Sequence, residues 1–140
     1  MRNPGMNIKH NKQRGEWAEM RFMTRATEHG LKVTKPWGDS LPYDFAVESD
    51  GTFVRVQVKS TTYKKDGAYR CAIHTSRGPY PNNPFDFVAA YIVPLDLWYI
   101  IPIKLARGPN CKFLIPPHRP QSKYHPYREA WHLLKLRRRA

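Results

Sequence analysis

A carboxylate, an amide oxygen and an ammonium fall into register in the stretch from Pro42 to Lys59. On either side of Asp50-Gly51 the residues alternate apolar and polar with period two, the signature of half-buried strands. Asp-Gly suits a tight two-residue hairpin turn, because both residues tolerate positive φ. With the turn placed there, Ser49 faces Thr52 and Asp44 faces Gln57. Directly opposed residues share a face, with Cβ atoms about 4.5–5.5 Å apart. Lys59 lies two residues beyond Gln57 and joins that face. The opposite face reads Tyr43, Phe45 and Val47 against Val58, Val56 and Val54, a dry core layer. One face is therefore core, and the other is a polar cluster of the kind catalysis uses. The alternation of Arg55, Gln57 and Lys59 taken alone is also what any half-solvated strand shows.

A helix upstream bears on the choice. The spacing predicts one over Arg14–His29, stopped by Gly30. At about 100° per residue, Met20, Phe22, Met23 and Ala26 share an arc, with Arg21, Arg25 and Glu28 opposite. Glu19 falls inside the apolar arc, where a carboxylate is costly to bury unless it is paired or coordinated. Glu16 lies near the same arc, but a first-turn position explains it through the helix dipole. Glu19 is therefore a candidate functional residue, with a salt-bridged Glu19 as the alternative.

Composition narrows the partner. The chain has 140 residues, enough for one domain with a real core. Its net charge of +13 points to a polyanion, nucleic acid before an anionic membrane. The longest clean apolar run, Phe87 to Val93, is far too short to span a bilayer. No secretory apolar region is visible near the start, so a cytoplasmic protein is expected. Cys71 and Cys111 have no metal-type spacing and read as reduced packing thiols. No phosphate loop, serine elbow or zinc helix motif appears.

The remaining elements follow in order. Residues 1–13 read as a flexible basic arm with Arg2, Lys9 and Lys12. Leu31–Lys35 is a short strand, and Pro36 to Pro42 is a loop whose Asp39 and Ser40 approach the cluster. Ser60–Gly67 reads as a polar loop carrying Lys64 and Lys65. Strands are predicted over Ala68–Thr75, Phe85–Val93 and Leu97–Ile101, the second interior to a sheet. Phe113 to Ile115 reads as a short edge strand, and Pro126–Arg137 as a terminal helix with Arg137, Arg138 and Arg139 at its basic end. Lys9, Lys12, Lys64, Lys65 and these three arginines are the expected phosphate contacts.

The order of helix carboxylate, Asp at a strand, hairpin and Gln-x-Lys resembles the PD-(D/E)XK nuclease superfamily. The matching residues are Arg14-Gly-Glu-Trp-Ala-Glu19, Pro42-Tyr-Asp44 and Gln57-Val-Lys59. Within it the chain is most similar to archaeal Holliday-junction resolvases and cyanobacterial intron homing endonucleases of this fold. The likeness runs over roughly residues 14–104. It departs twice: Tyr43 splits the usual Pro-Asp pair, and Gln57 replaces the usual acid.

The resemblance implies an α/β fold, a restriction-endonuclease-like mixed central sheet flanked by helices, with residues 14–140 as one domain. It implies a Mg²⁺-dependent DNA endonuclease, with Mn²⁺ as a substitute, acting as a homodimer or higher homo-oligomer. Glu19, Asp44, Gln57 and Lys59 would be catalytic; Asp44 and Gln57 would hold the metal, with Glu19 as a further ligand. A Gln oxygen still ligates a hard cation but brings no charge. The alternative on the same fold is a catalytically silent nucleic-acid-binding domain. Tyr91, Trp98, Tyr99 and Trp131 offer either core or interface surface.

Overall fold

The structure, a computed structural model, describes residues 3–73, 84–106 and 112–135. Arg2, Cys111 and Arg137 to Arg139 lie outside the described residues, as do His74 and Thr75 at the end of one expected strand.

The Asp50-Gly51 hairpin forms the middle of the molecule. Both turn residues adopt positive φ, 50° and 77°. Strands β2 (Phe45–Ser49) and β3 (Thr52–Thr61) pair antiparallel from Ser49↔Thr52 to Phe45↔Val56. This is the register that the turn predicts. On one side β1 (Lys32–Thr34) pairs antiparallel with β2. On the other, β6 (Phe87–Ile92) runs parallel to β3, and β7 (Leu97–Pro102) returns antiparallel to β6. The result is a mixed five-stranded sheet of order β1-β2-β3-β6-β7. β6 is interior and buried at every position but its first, as its run of apolar residues requires.

Helix α1 (Asn11–Glu28) covers one face. It starts three residues before the expected Arg14, so Glu16 lies in the second turn, exposed, and the dipole explanation lapses. Ala18, Phe22 and Ala26 form its buried stripe, whereas Met20 is exposed. Phe22 meets Phe45, Trp98 and Trp131 at ring centroids 5.2–5.9 Å apart. The helix ends where Gly30 turns with φ +79° and the Leu31 N–H reaches back to the Ala26 carbonyl.

The other face is covered by a second sheet of order β4-β5-β8: β4 (Lys64–Lys65), β5 (Ala68–Ala72) and β8 (Lys112–Ile115). The expected polar loop at Ser60–Gly67 is thus the end of β3, a two-residue strand and a tight Asp66-Gly67 turn. Tyr69, Cys71, Phe113 and Ile115 pack on Val88, Ala90, Ile92 and Ile101 as a second apolar cluster. Tyr43 joins this cluster and not the Phe45 layer, because the chain bends before β2 begins. Burial pushes the Cys71 thiol up to about 12, which leaves it an inert packing group.

Two terminal expectations change. Residues 3–13, expected as part of a mobile arm, carry a 3₁₀ turn at Pro4–Asn7 and the first residues of α1. The Asn3 amide donates to the Tyr91 hydroxyl and the Val93 carbonyl, both at 2.8 Å. Gly5 lies so close to the Trp17 ring that a Cβ would fall within it. The expected terminal helix is replaced by 3₁₀ turns at His125–Tyr127 and Trp131–Leu134. Glu129 interrupts any helix with φ +50°. Its N–H bonds the Trp98 carbonyl, and its carboxylate accepts the Trp98 N–H at 2.7 Å and the Trp131 indole N–H at 2.9 Å. Bonding to the edge of β7 outcompetes local helix formation. Tyr91, Trp98, Tyr99 and Trp131 are all core residues and present no interface surface.

Candidate active site

Asp44 sits in a bend one residue before β2. Its N–H bonds the Val56 carbonyl at 3.0 Å, the same residue that Phe45 opposes. Asp44 and Phe45 thus share one partner, as at a β-bulge, and Asp44 does not stand squarely opposite Gln57. The slip is confined to the end of β2, so β3 keeps its alternation. Asp44 Oδ2 accepts the Val58 N–H at 2.7 Å and takes the place of a ladder carbonyl. The carboxylate therefore lies at the gap where β2 leaves β3.

Elements on both faces of the sheet flank that gap. Glu19 comes from α1, on the face of Val56 and Val58. Gln57 and Lys59 come from the other face, level with Val88 and Ala90 of β6. Lys35 follows β1, and its Nζ donates to Glu19 Oε1 at 2.8 Å. Lys35 also lies over the Phe45 ring at 4.9 Å. Charge effects tie the group together. Burial pushes the Asp44 carboxyl up to about 6; the Val58 N–H opposes this, Glu19 adds to it, and Lys59 and Lys35 oppose it.

Of the four expected residues, Glu19 and Lys59 thus both act on Asp44. Gln57 is on the Lys59 face, only 8 % exposed, and its side chain makes no hydrogen bond among the described residues. It is not packed among Val54 and Val56, which point the opposite way into the α1 layer. Glu19 is half-buried and paired with Lys35, so the salt-bridged alternative is present in the structure. Lys35 was not singled out from the sequence. Its signal was a lysine ending an edge strand one residue before proline, which is common on surfaces.

The donors are all hard oxygens: two carboxylates and one amide, which suit Mg²⁺ better than a soft or borderline metal. A partly buried carboxyl held up to about 6 beside a second carboxylate is a group a cation would stabilise in its charged form. Among the described residues no three His, Cys, Asp or Glu side chains gather as a metal cluster.

Of the expected phosphate contacts, Lys9 and Lys12 are exposed at the start of the chain and Lys64 and Lys65 on β4. None of the four is joined to the Asp44 cluster by an ion pair among the described residues. Asp39 and Ser40 are exposed loop residues. No helix is long and apolar enough to cross a membrane among the described residues.

A family model described as PD-(D/E)XK endonuclease matches residues 9–134. A solved bacterial homing endonuclease, I-Ssp6803I, superposes with a TM-score of 0.75 at 31% identity, over 90% of this chain and 91% of that one. The Holliday junction resolvase Hjc of Archaeoglobus fulgidus superposes with a TM-score of 0.57 at 13% identity, over 88% and 98%. That second likeness is one of fold. No curated protein matches the sequence.

Proposed function

The chain belongs to the PD-(D/E)XK endonuclease family, and from that premise we propose a Mg²⁺-dependent endodeoxyribonuclease of homing or junction-resolving type. The observation that carries the reading is the Asp44 carboxylate, raised to about 6 at the open end of β2 and sensing Glu19, Lys35 and Lys59. The net charge of +13 supports a nucleic-acid substrate.

Asp44 and Gln57 would hold the cation, with Glu19 as a further oxygen donor once released from Lys35. Bound there, it would supply Lewis acidity at the phosphate and a more acidic attacking water. Lys59 places an ammonium beside Asp44, where it orients the water or stabilises charge on the phosphate as it grows. Lys35 pairs with Glu19 and balances its charge at the site. Val58 fixes the Asp44 carboxylate through its N–H on one oxygen, and the other oxygen would serve a bound cation. Two copies acting together suit cutting of both strands, and light scattering with and without DNA checks for a dimer.

The test is nicking of supercoiled plasmid with and without Mg²⁺, and cleavage of a four-way junction against a matched linear duplex. Wild type should cut and Asp44→Ala should not. Gln57 favours a second reading, a silent DNA-binding domain, since one charge of the usual set is missing. That reading predicts DNA binding without cleavage in Mg²⁺ or Mn²⁺.

A further inference from the structure

The second sheet buries only one of its faces. Tyr69, Cys71, Phe113 and Ile115 point inward, whereas Arg70, Lys112 and Leu114 point to solvent. Pairing fixes the outward pattern. Lys65 stands opposite Ala68, Arg70 opposite Leu114, and Ala72 opposite Lys112. Going from β4 to β5 to β8, the cation moves up by two residues at each strand. Lys65, Arg70 and Lys112 therefore form one diagonal row across three strands.

Diagonal neighbours on a sheet face are about 7–8 Å apart. Adjacent phosphates of one DNA strand rise roughly 3.4 Å along the axis but also wind around it, so they stand about 7 Å apart. The row thus matches a phosphate backbone in spacing as well as in sign. None of the three cations has an ion pair among the described residues. Arg70 is instead set by the ring of Tyr63, with the guanidinium 5.2 Å from its centroid. Tyr63 and Leu114 remain 55% and 51% exposed, which leaves apolar surface between the charges for sugar contacts.

The row is also attached to the candidate site. β5 packs against β3, and Lys59 is close enough to Cys71 to act on its thiol. Arg70 and Ala72 flank Cys71 on the same strand, facing out where Cys71 faces in.

We infer that the outer face of the β4-β5-β8 sheet is a docking platform for duplex DNA, on which Lys65, Arg70 and Lys112 engage successive phosphates of one strand. This rests on the reading of the chain as a DNA endonuclease and adds the surface that holds the duplex beside Lys59. Charge complementarity selects the occupant, since among the described residues the face offers three cations and no carboxylate except Asp66 at the turn.

The test compares two variants of equal charge change, in EDTA, on a 40-base-pair duplex. One is Lys65→Ala, Arg70→Ala, Lys112→Ala; the other is Lys32→Ala, Lys104→Ala, Lys135→Ala, three exposed lysines elsewhere. The platform variant should bind at least about tenfold more weakly at 0.1 M salt, with a log–log salt slope shallower by about 2–3, at roughly 0.9 per phosphate contact. The control should stay within about twofold of wild type. A second platform variant, Lys65→Gln with Lys112→Gln, leaves the Arg70–Tyr63 stack intact and should lose about two-thirds of that slope change. Equal losses in platform and control variants overturn the platform while leaving the nuclease reading standing. Failure of wild type to bind duplex at all overturns both.

Discussion

The Asp44 carboxylate accepts the backbone N–H of Val58 at 2.7 Å. This bond holds a charge in a partly buried place, and burial is the largest reason its pKa rises to about 6. Without a cation the ionised form is a cost to the fold. Asp44→Asn keeps an oxygen for Val58 and removes the charge. In EDTA at pH 8 the variant should be more stable than wild type by about 2–3 kcal/mol, at about 1.4 kcal/mol per pH unit, while cleavage is lost. The sign follows from linkage. The folded state binds the extra proton between about pH 4 and 6, so wild-type stability falls as pH rises through that window. The gain should therefore vanish near pH 4. Thermal melts at both pH values decide it, and a variant less stable than wild type at pH 8 contradicts the burial account.

Cation binding needs the ionised carboxylate. The rise in Tm that Mg²⁺ gives wild type should shrink as pH falls below about 6. Lys35 helps to hold the Asp44 pKa down. Lys35→Ala should shift this acid limb to higher pH and leave the response at pH 8 close to wild type. An unmoved limb would mean that Lys35 serves Glu19 alone.

The hairpin was legible because Asp50-Gly51 and the period-two alternation are local signals, and both survive into the fold. Helix α1 was legible from Phe22, Ala26 and Gly30, but its start was not. His10 caps it with no side-chain bond, so no cap signal marks the boundary. What the sequence hid was set by distant partners. Pro126 and the stripe of Tyr127, Ala130, Trp131 and Leu134 fit a helix, yet Glu129 is held by Trp98, 31 residues away. Gly5 is needed by the Trp17 ring, and Lys35 pairs with Glu19 across strand and helix. The bend at Asp44 slips the last hairpin pair by one residue, which no count along the strands reveals.

Gln57→Glu restores a carboxylate at a position only 8 % exposed. It adds a buried acid beside Lys59 that no bound metal ion neutralises in EDTA. In EDTA at pH 8 it should lower stability by about 1–3 kcal/mol. Added Mg²⁺ should raise its Tm more than it raises that of wild type, with cleavage retained. Titrating Mg²⁺ against Tm checks this; an equal rise in the two proteins would place Gln57 outside the cation site.

Glu129 separates stability from activity. Its carboxylate accepts from the Trp98 N–H and the Trp131 indole, both in the core. Glu129→Ala leaves two buried donors without acceptors and should cost about 2–4 kcal/mol. Cleavage per folded molecule should be unchanged, since Glu129 lies on the β7 side of the sheet, away from Asp44. Denaturant melts and single-turnover cleavage below the transition measure the two effects separately.

Lys59 and Lys64 lie five residues apart on one run of chain but have different neighbours. Lys59 is half-buried and acts on Asp44; Lys64 is exposed on β4 with no ion pair among the described residues. A cation beside the reacting phosphate is worth most where charge develops, in the transition state. A cation on the rim neutralises backbone charge equally before and during reaction, and its effect appears as salt-dependent affinity. Lys59→Ala should bind DNA within a few-fold of wild type and lose single-turnover cleavage by about 100-fold or more. Lys64→Ala should weaken binding, flatten the salt slope by about 0.9 and cut at the wild-type rate once saturated. The Asp44 acid limb should also move to higher pH in Lys59→Ala, because Lys59 lowers that pKa, and stay in place in Lys64→Ala. If the two variants lose affinity alike and neither loses cleavage selectively, Lys59 is a solvated strand cation and the active-site assignment falls with it.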